Sequence, residues 1–343
     1  MAGGVSQMRI VVTGGAGFIG SNFVRRILHD EYEGFEGADV TVLDSLTYSG
    51  NLANLEPVAE SGRLTFVRGD IRDSALLDGL LPGVDTLVHF AAESHVDRSV
   101  RDAGAFIDTN VVGTQRLLDA ALRAGVRRTV HVSTDQVYGS IPEGSWSEDH
   151  LLEPNSPYAA SKAASDLVAR SYVRTHGMDL SITRCSNNYG PYQFPEKVIP
   201  LFVTRLIDGR RVPLYGTGEN VRDWLHVDDH TRAIAMVARG GRAGEVYNIG
   251  GGTELSNREL TALLLEATGR DESAIEHVAD RKGHDLRYSV DIAKIAGELG
   301  YAPEVDFAQG LSDVVDWYRD HRSWWEPLLD TAALSAATST VEG

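Results

Sequence analysis

A β-branched run, Arg9-Ile10-Val11-Val12-Thr13, leads directly into Gly14-Gly15-Ala16-Gly17-Phe18-Ile19-Gly20 and then into a helical pattern near residues 21–29. Glycines at 14, 17 and 20 allow a tight strand-to-helix turn, close approach of a pyrophosphate and tight packing of helix on strand. The helix N-terminus adds backbone N–H donors. A glycine cluster alone also fits a purely structural turn. The next strand, VTVLD, decides between the two, because it ends in an acid, Asp44. A carboxylate there suits the ribose hydroxyls of an adenine dinucleotide and repels a 2′-phosphate, so the pattern favours NAD over NADP.

From Arg9 onward short apolar runs alternate with helical stretches: RIVVTG, VTVLD, LTFVRGD, TLVHFAA, and TVHVS after a helix over 114–124. This alternation predicts βαβ units and an α/β fold with a doubly wound, Rossmann-type parallel sheet. The regularity breaks near Tyr189, where Pro191, Pro195, Pro200 and Pro213 sit among glycine-rich turns. We therefore expect a Rossmann domain over 8–188 and a smaller substrate-binding lobe over 189–327 that returns to the sheet at EVYNIGG. A tail over 328–343, rich in Ala, Ser and Thr, is expected to be partly disordered.

Composition narrows the function. In 343 residues, 49 acidic against 32 basic side chains give a net charge of −17, which disfavours nucleic acid as a partner. The single cysteine, Cys185, excludes a disulfide framework and a cysteine-based zinc site, and suits a reducing cytoplasm. No apolar run reaches membrane-span length, and the first residues lack the pattern of an export signal. The run from His226 to His230 contains metal-ligand residue types, but a helix start explains Asp228 and Asp229 more simply. No metal is expected.

In SPYAASKAASD, Tyr158 and Lys162 stand four residues apart and share a helix face. A neighbouring ammonium favours the phenolate, which would make Tyr158 a base for removing a proton from a sugar hydroxyl during hydride transfer to nicotinamide. Upstream, in HVSTDQVYG, Ser133 or Thr134 could hold the same hydroxyl. The cofactor set expected around this pair is Gly14, Gly17, Phe18, Ile19, Gly20, Asp44, Ser45, Leu46, Thr47, Asp70, Ile71, Phe90, Ala91, Ala92, Thr109 and Cys185. Asp70, in RGDIRD, reads either as an adenine-edge contact or as the cap of the helix that follows. Cys185 reads as a small packing residue near the nicotinamide.

Taken together, GGAGFIGSNFV, AAESHVDRS, STDQVYG, PYAASKAASD, NNYGPYQFPEKVIP, VRDWLHVDDH and DRKGHDLRYSVD resemble the dTDP-glucose 4,6-dehydratases, extended short-chain dehydrogenase/reductases, from about residue 8 to about 325. The resemblance implies oxidation of the sugar at C4 by Tyr158, Lys162 and NAD, loss of water across C5 and C6, and hydride return to C6. It places Thr134 at the reacting hydroxyl and Asp135 as the acid for the C6 oxygen. At the next position stands Gln136, where the family has a glutamate that removes the C5 proton. Glutamine keeps the shape but is no base, so an impaired enzyme is implied. Either the change was introduced to stall the enzyme with substrate bound, or the chain uses another base or stops at a different step.

The same resemblance assigns the sugar-nucleotide pocket to Ser94, Asn187, Glu196, Lys197, Val198, Pro213, Tyr215, Arg222, Asn257, Arg281, His284 and Tyr288. Aromatic faces would stack on the base and arginines would pair with the diphosphate. It also implies a homodimer formed through the Tyr–Lys helix. The alternatives are a UDP-sugar 4-epimerase or decarboxylase of the same fold, which would not need the acid at Asp135, and a non-catalytic NAD and sugar-nucleotide sensor.

Overall fold

The computed structural model describes residues 7–280 and 285–337. Its strands are β1 Arg9–Thr13, β2 Asp39–Asp44, β3 Leu64–Arg68, β4 Thr86–His89, β5 Arg128–Thr134, β6 Leu180–Cys185, β7 Asn187–Tyr189, β8 Val212–Tyr215, β9 Val221–His226, β10 Val246–Ile249, β11 Thr253–Ser256 and β12 Ile275–Val278. Seven of them form one sheet in the order β10-β6-β5-β4-β1-β2-β3. Every pairing in it is parallel. This is the Rossmann-type arrangement expected from the alternating pattern, with β10 returned from the C-terminal half to extend the sheet.

The sheet is parallel because helices cover both faces, and its central strands consequently read as unbroken apolar runs. On one side Phe23 and Ile27 of the helix Phe18–Leu28, with Ile234 and Val237 of the helix Val227–Gly240, pack on Val12, Val40 and Val130. On the other side Leu77, Leu117, Leu118 and Ala169 pack on Val11, Leu87 and Ile182. The helix Phe18–Leu28 begins three residues before the sequence pattern suggests. Gly17 is its N-cap, so its first turn includes part of the glycine motif itself.

A second core holds the lobe together around Tyr189, Phe202, Trp224, Leu264, Tyr318 and Trp325. There β9 lies between β11 (antiparallel) and β7 (parallel), while β8 and β12 form a separate parallel pair. A helix over Arg322–Ala337 carries the chain past residue 327. The sheet order has its switch point between β1 and β4: the chain turns from β1 toward β2 on one side and later places β4 on the other. The crevice outside the carboxyl ends of these strands is where such sheets take ligands.

Candidate active site

Glycine is required at the β1 turn for measurable reasons. Gly14 has φ of +71°, and a Cβ there would stand 2.6 Å from the Ala91 nitrogen. A Cβ on Gly20 would stand 2.3 Å from the Gly14 carbonyl oxygen. The turn is thus pressed between its own helix and the end of β4, leaving no room for a side chain at Gly14 or Gly20. Gly17 caps the helix without a side-chain acceptor, so no side chain of the cap occupies its first N–H groups.

Asp44, at the end of β2, accepts from Ala16 N at 2.9 Å and Leu46 N at 2.8 Å. Burial raises its pKa while those two backbone bonds oppose the rise. Asp70 is held by Arg72, whose guanidinium and backbone N–H both donate to it. It does not cap the next helix. Asp73 does, accepting from Leu76 N at 3.1 Å.

The helix Pro157–His176 starts where Ser156 accepts from Ala159 N and Pro157 occupies its first turn, and it stops at Gly177 in the left-handed conformation. Such a serine cap contributes about 1 kcal/mol. Its buried face is fastened to β5 and β6 by polar contacts. Lys162 Nζ donates to the Val132 carbonyl at 2.8 Å, His131 bonds Ser165 at 3.1 Å, and Arg184 Nε donates to Asp166 at 2.9 Å. Against the burial that would raise it, Arg184 and His131 hold the Asp166 carboxyl down at about 2. Burial, partly offset by Asp166, brings the Lys162 ammonium down to about 8.

The sequence reading expects Lys162 to make the Tyr158 phenol acidic. The structure corrects this. Burial comes first among the causes and pushes the phenol up, with Cys185 and Asp135 adding to it and Thr134 opposing. The lysine is engaged with a backbone carbonyl, so the chain by itself leaves Tyr158 protonated. Cys185 donates weakly to the Ser133 carbonyl at 3.5 Å, and burial pushes its thiol up to about 12, which makes it unreactive.

Thr134 ends β5 and caps the turn Asp135–Tyr138, accepting from Gln136 N at 3.3 Å. The Asp135 carboxyl is buried and pushed up to about 7, first by desolvation and then by the neighbouring Asp223. Its Oδ2 has no hydrogen-bond partner among the described residues. A buried, half-satisfied carboxyl at the floor of a cleft can keep a proton near neutral pH and pass it to a ligand.

One cleft of about 440 Å³ brings most of the expected residues together. Its wall contains Gly14, Gly17, Phe18, Ile19, Gly20, Asp44, Ser45, Thr47, Asp70, Ile71, Phe90, Ala91, Ala92, Thr109 and Cys185 from the cofactor set. It also contains Thr134, Asp135, Gln136, Tyr158 and Lys162, together with Ser94, Asn187, Glu196 and Lys197. Leu46 is absent from the wall. Its backbone N–H holds Asp44 while its side chain packs on the core.

Val198, Pro213, Tyr215, Arg222, Asn257 and Tyr288 do not line this cleft either. Val198 opens a helix, Pro213 and Tyr215 pair with β12, and Asn257 opens the helix after β11. Arg222 stacks on the Tyr288 ring at 4.3 Å, and both act electrostatically on or with Asp135. Arg281 and His284 lie outside the described residues.

Residues absent from the sequence reading also face the cleft, among them Tyr48, Arg72, Glu93, Asn188 and Phe194. Each lies within two residues of an expected one, but chain adjacency carries no information on which side chains turn inward. In the His226–His230 run, Asp229 accepts from Glu304 N and Val305 N, and His230 bonds Asn188 at 2.7 Å. Among the described residues no group of three or more His, Cys, Asp or Glu is placed to hold a metal ion.

Comparison with known proteins settles the family. The family model described as GDP-mannose 4,6 dehydratase matches residues 11–314. A dTDP-glucose 4,6-dehydratase of Streptomyces niveus is 60% identical over 321 residues, covering 94% of this chain and 96% of the relative. The chain belongs to the dTDP-glucose 4,6-dehydratase family. In fold it is similar to DesIV, a dTDP-glucose 4,6-dehydratase from Streptomyces venezuelae solved with NAD and dTDP bound, with a TM-score of 0.93, 65% identity and coverage of 94% and 100%. A UDP-glucose 4-epimerase of Thermotoga maritima solved with UDP-glucose matches with a TM-score of 0.84 at 32% identity, over 91% and 99%.

Proposed function

We propose that this chain is an NAD-dependent hydro-lyase that converts dTDP-glucose to the 4-keto-6-deoxy sugar nucleotide. The observation that carries the reading is the meeting of Asp135, its carboxyl at about 7 and one oxygen unpartnered, with Tyr158 and Lys162 in the same cleft as the glycine turn. A 4-epimerase has no use for an acid beside the C6 oxygen, and the likeness to the dehydratases is also the closer in identity.

The chain's residues fit the dinucleotide. A side chain at Gly14 would fill the space beside Ala91, and Asp44 faces the cleft at the end of β2. Bound NAD supplies the acceptor for hydride from C4 and the donor that returns it to C6. Tyr158, as the phenolate, is the group placed to take the C4 hydroxyl proton, with the Lys162 ammonium in the same cleft as a cation that would favour that form. Thr134 orients that hydroxyl, and Asp135 protonates the departing C6 oxygen. Gln136 faces the same cleft without a basic group, so the C5 proton passes to water in the cleft instead of to a side chain at this position, and that transfer is the slow step.

A homodimer is part of the proposal. The helices Val96–Arg101 and Pro157–His176 expose Val100 at 67% and Leu167 at 57%, and Ile107 is exposed between them in sequence, apolar side chains that self-association would cover. So is a cytoplasmic setting, in keeping with the one free, buried thiol. Among the described residues no helix is long and apolar enough to cross a membrane.

The deciding test is incubation with dTDP-glucose followed by mass spectrometry. Product lighter by one water supports dehydration; an isomer of unchanged mass would overturn it in favour of an epimerase. Transient reduction of bound NAD on mixing excludes a purely binding role.

A further inference from the structure

The helix Arg322–Ala337 lies far from β1 in sequence, yet one of its side chains is bonded to the support of the glycine turn. Trp324 Nε1 donates to Asn54 Oδ1 at 2.9 Å. Asn54, almost wholly buried, turns its Nδ2 to the Ala16 carbonyl at 2.9 Å. Ala16 in turn donates its backbone N–H to Asp44 Oδ2 at 2.9 Å. The backbone of Asn54 is itself held, since Arg25 donates to its carbonyl at 2.7 Å.

We infer that Trp324 and Asn54 are positioning residues for the cofactor, a brace that lets the C-terminal helix set the geometry of the glycine turn and of Asp44. Each link is a directional hydrogen bond between buried or half-buried groups, and such groups transmit displacement because the interior has little slack. Ala16 is the junction: its carbonyl, in the peptide to Gly17, faces the brace, and its N–H, in the peptide from Gly15, faces Asp44. A second path reaches the same region. Trp324 packs edge-on against Tyr192 at 5.5 Å, and Tyr192 lies beneath the Arg25 guanidinium at 4.2 Å. Tyr192 is held at φ +66°, just before Gln193 and Phe194 of the cleft wall. A bond of the strength usual in proteins changes an equilibrium by a few-fold to about tenfold, and Ala16 O also accepts from Asn51 N at 3.0 Å, which retains part of the support.

The inference rests on NAD as the cofactor, and its test separates the two. Protein saturated with isotopically labelled NAD is chased with unlabelled NAD, and the release rate is compared with the affinity for dTDP. Trp324→Phe keeps the ring and loses the N–H; its expected release is about threefold faster. Asn54→Ala, which frees both neighbours, is expected to release about tenfold faster, and the double variant no faster than Asn54→Ala alone. Affinity for dTDP is expected to stay within about twofold. Trp325→Phe is the control: on the same helix it loses an Nε1–H bond to the Tyr318 carbonyl at 2.7 Å, apart from the brace, so its loss should lower thermal stability without speeding release. Equal release from wild type and Trp324→Phe, or equal acceleration by Trp325→Phe, overturns the brace while leaving the cofactor reading intact. Wild-type protein that retains no label overturns both.

Discussion

The Thr134 hydroxyl donates to Asp135 Oδ1 at 3.2 Å, and the other carboxylate oxygen of Asp135 is buried with no partner among the described residues. The carboxyl is therefore half-satisfied, and its pKa of about 7 follows from desolvation and from Asp223 nearby. Catalysis that needs the protonated acid should fall as pH rises through about 7 in the substrate-free chain, measured as kcat/KM against pH. The folded value exceeds the ordinary 3.8, so the stability this group adds is complete below 3.8 and lost as pH rises through about 7. Asp135→Asn should flatten the decline of thermal midpoint over that window and lower turnover by on the order of 10²- to 10⁴-fold.

Restoring a base opposite C5 should repair the slow step. Gln136→Glu is expected to raise formation of the 4-keto-6-deoxy product at least about tenfold, read from the alkali-developed keto-sugar absorbance. An unchanged rate would remove Gln136 from the C5 proton.

Gly14 and Gly20 tolerate no side chain. Gly14→Ala forces its Cβ against Ala91 and strains a positive φ, so the variant should fail to retain NAD in equilibrium dialysis. Gly79→Ala, in the helix Ser74–Leu80 with nothing within 4 Å of its Cβ, should bind NAD normally and melt at the same temperature or slightly higher.

Leu167→Asp places a charge at an exposed apolar position of the Tyr–Lys helix. Sedimentation should show wild type as a dimer and this variant shifted toward monomer by at least about tenfold in dissociation constant, since a charge there meets an apolar partner without compensation. A wild-type monomer at micromolar concentration would end the dimer proposal.

Much of this was legible before any coordinates, because local chemistry specified it. The positive φ at Gly14, the acid ending β2, the capped helix that sets Tyr158 one turn from Lys162, and the β-branched runs that became β1 to β5 each depend on a few neighbouring residues. Their steric and hydrogen-bonding needs have few solutions, so reading them required no knowledge of distant contacts. The family motifs extended that reading into the lobe, where periodicity alone is silent.

What only the tertiary structure decided involves groups far apart in the chain. The sequence pairs Tyr158 with Lys162, but the phenol is pushed up first by burial and then by Cys185, because desolvation depends on everything packed around a group and not on its place in a helix. The proton on Asp135 depends on Asp223, 88 positions later, and the seat of the glycine turn on Trp324, which no spacing connects to Ala16. Leu46 matches a cofactor position and packs its partly buried side chain against the core, since a pattern assigns positions while packing assigns directions. Short-range sterics are written in order along a chain; electric fields and close packing exist only once the chain has folded back on itself.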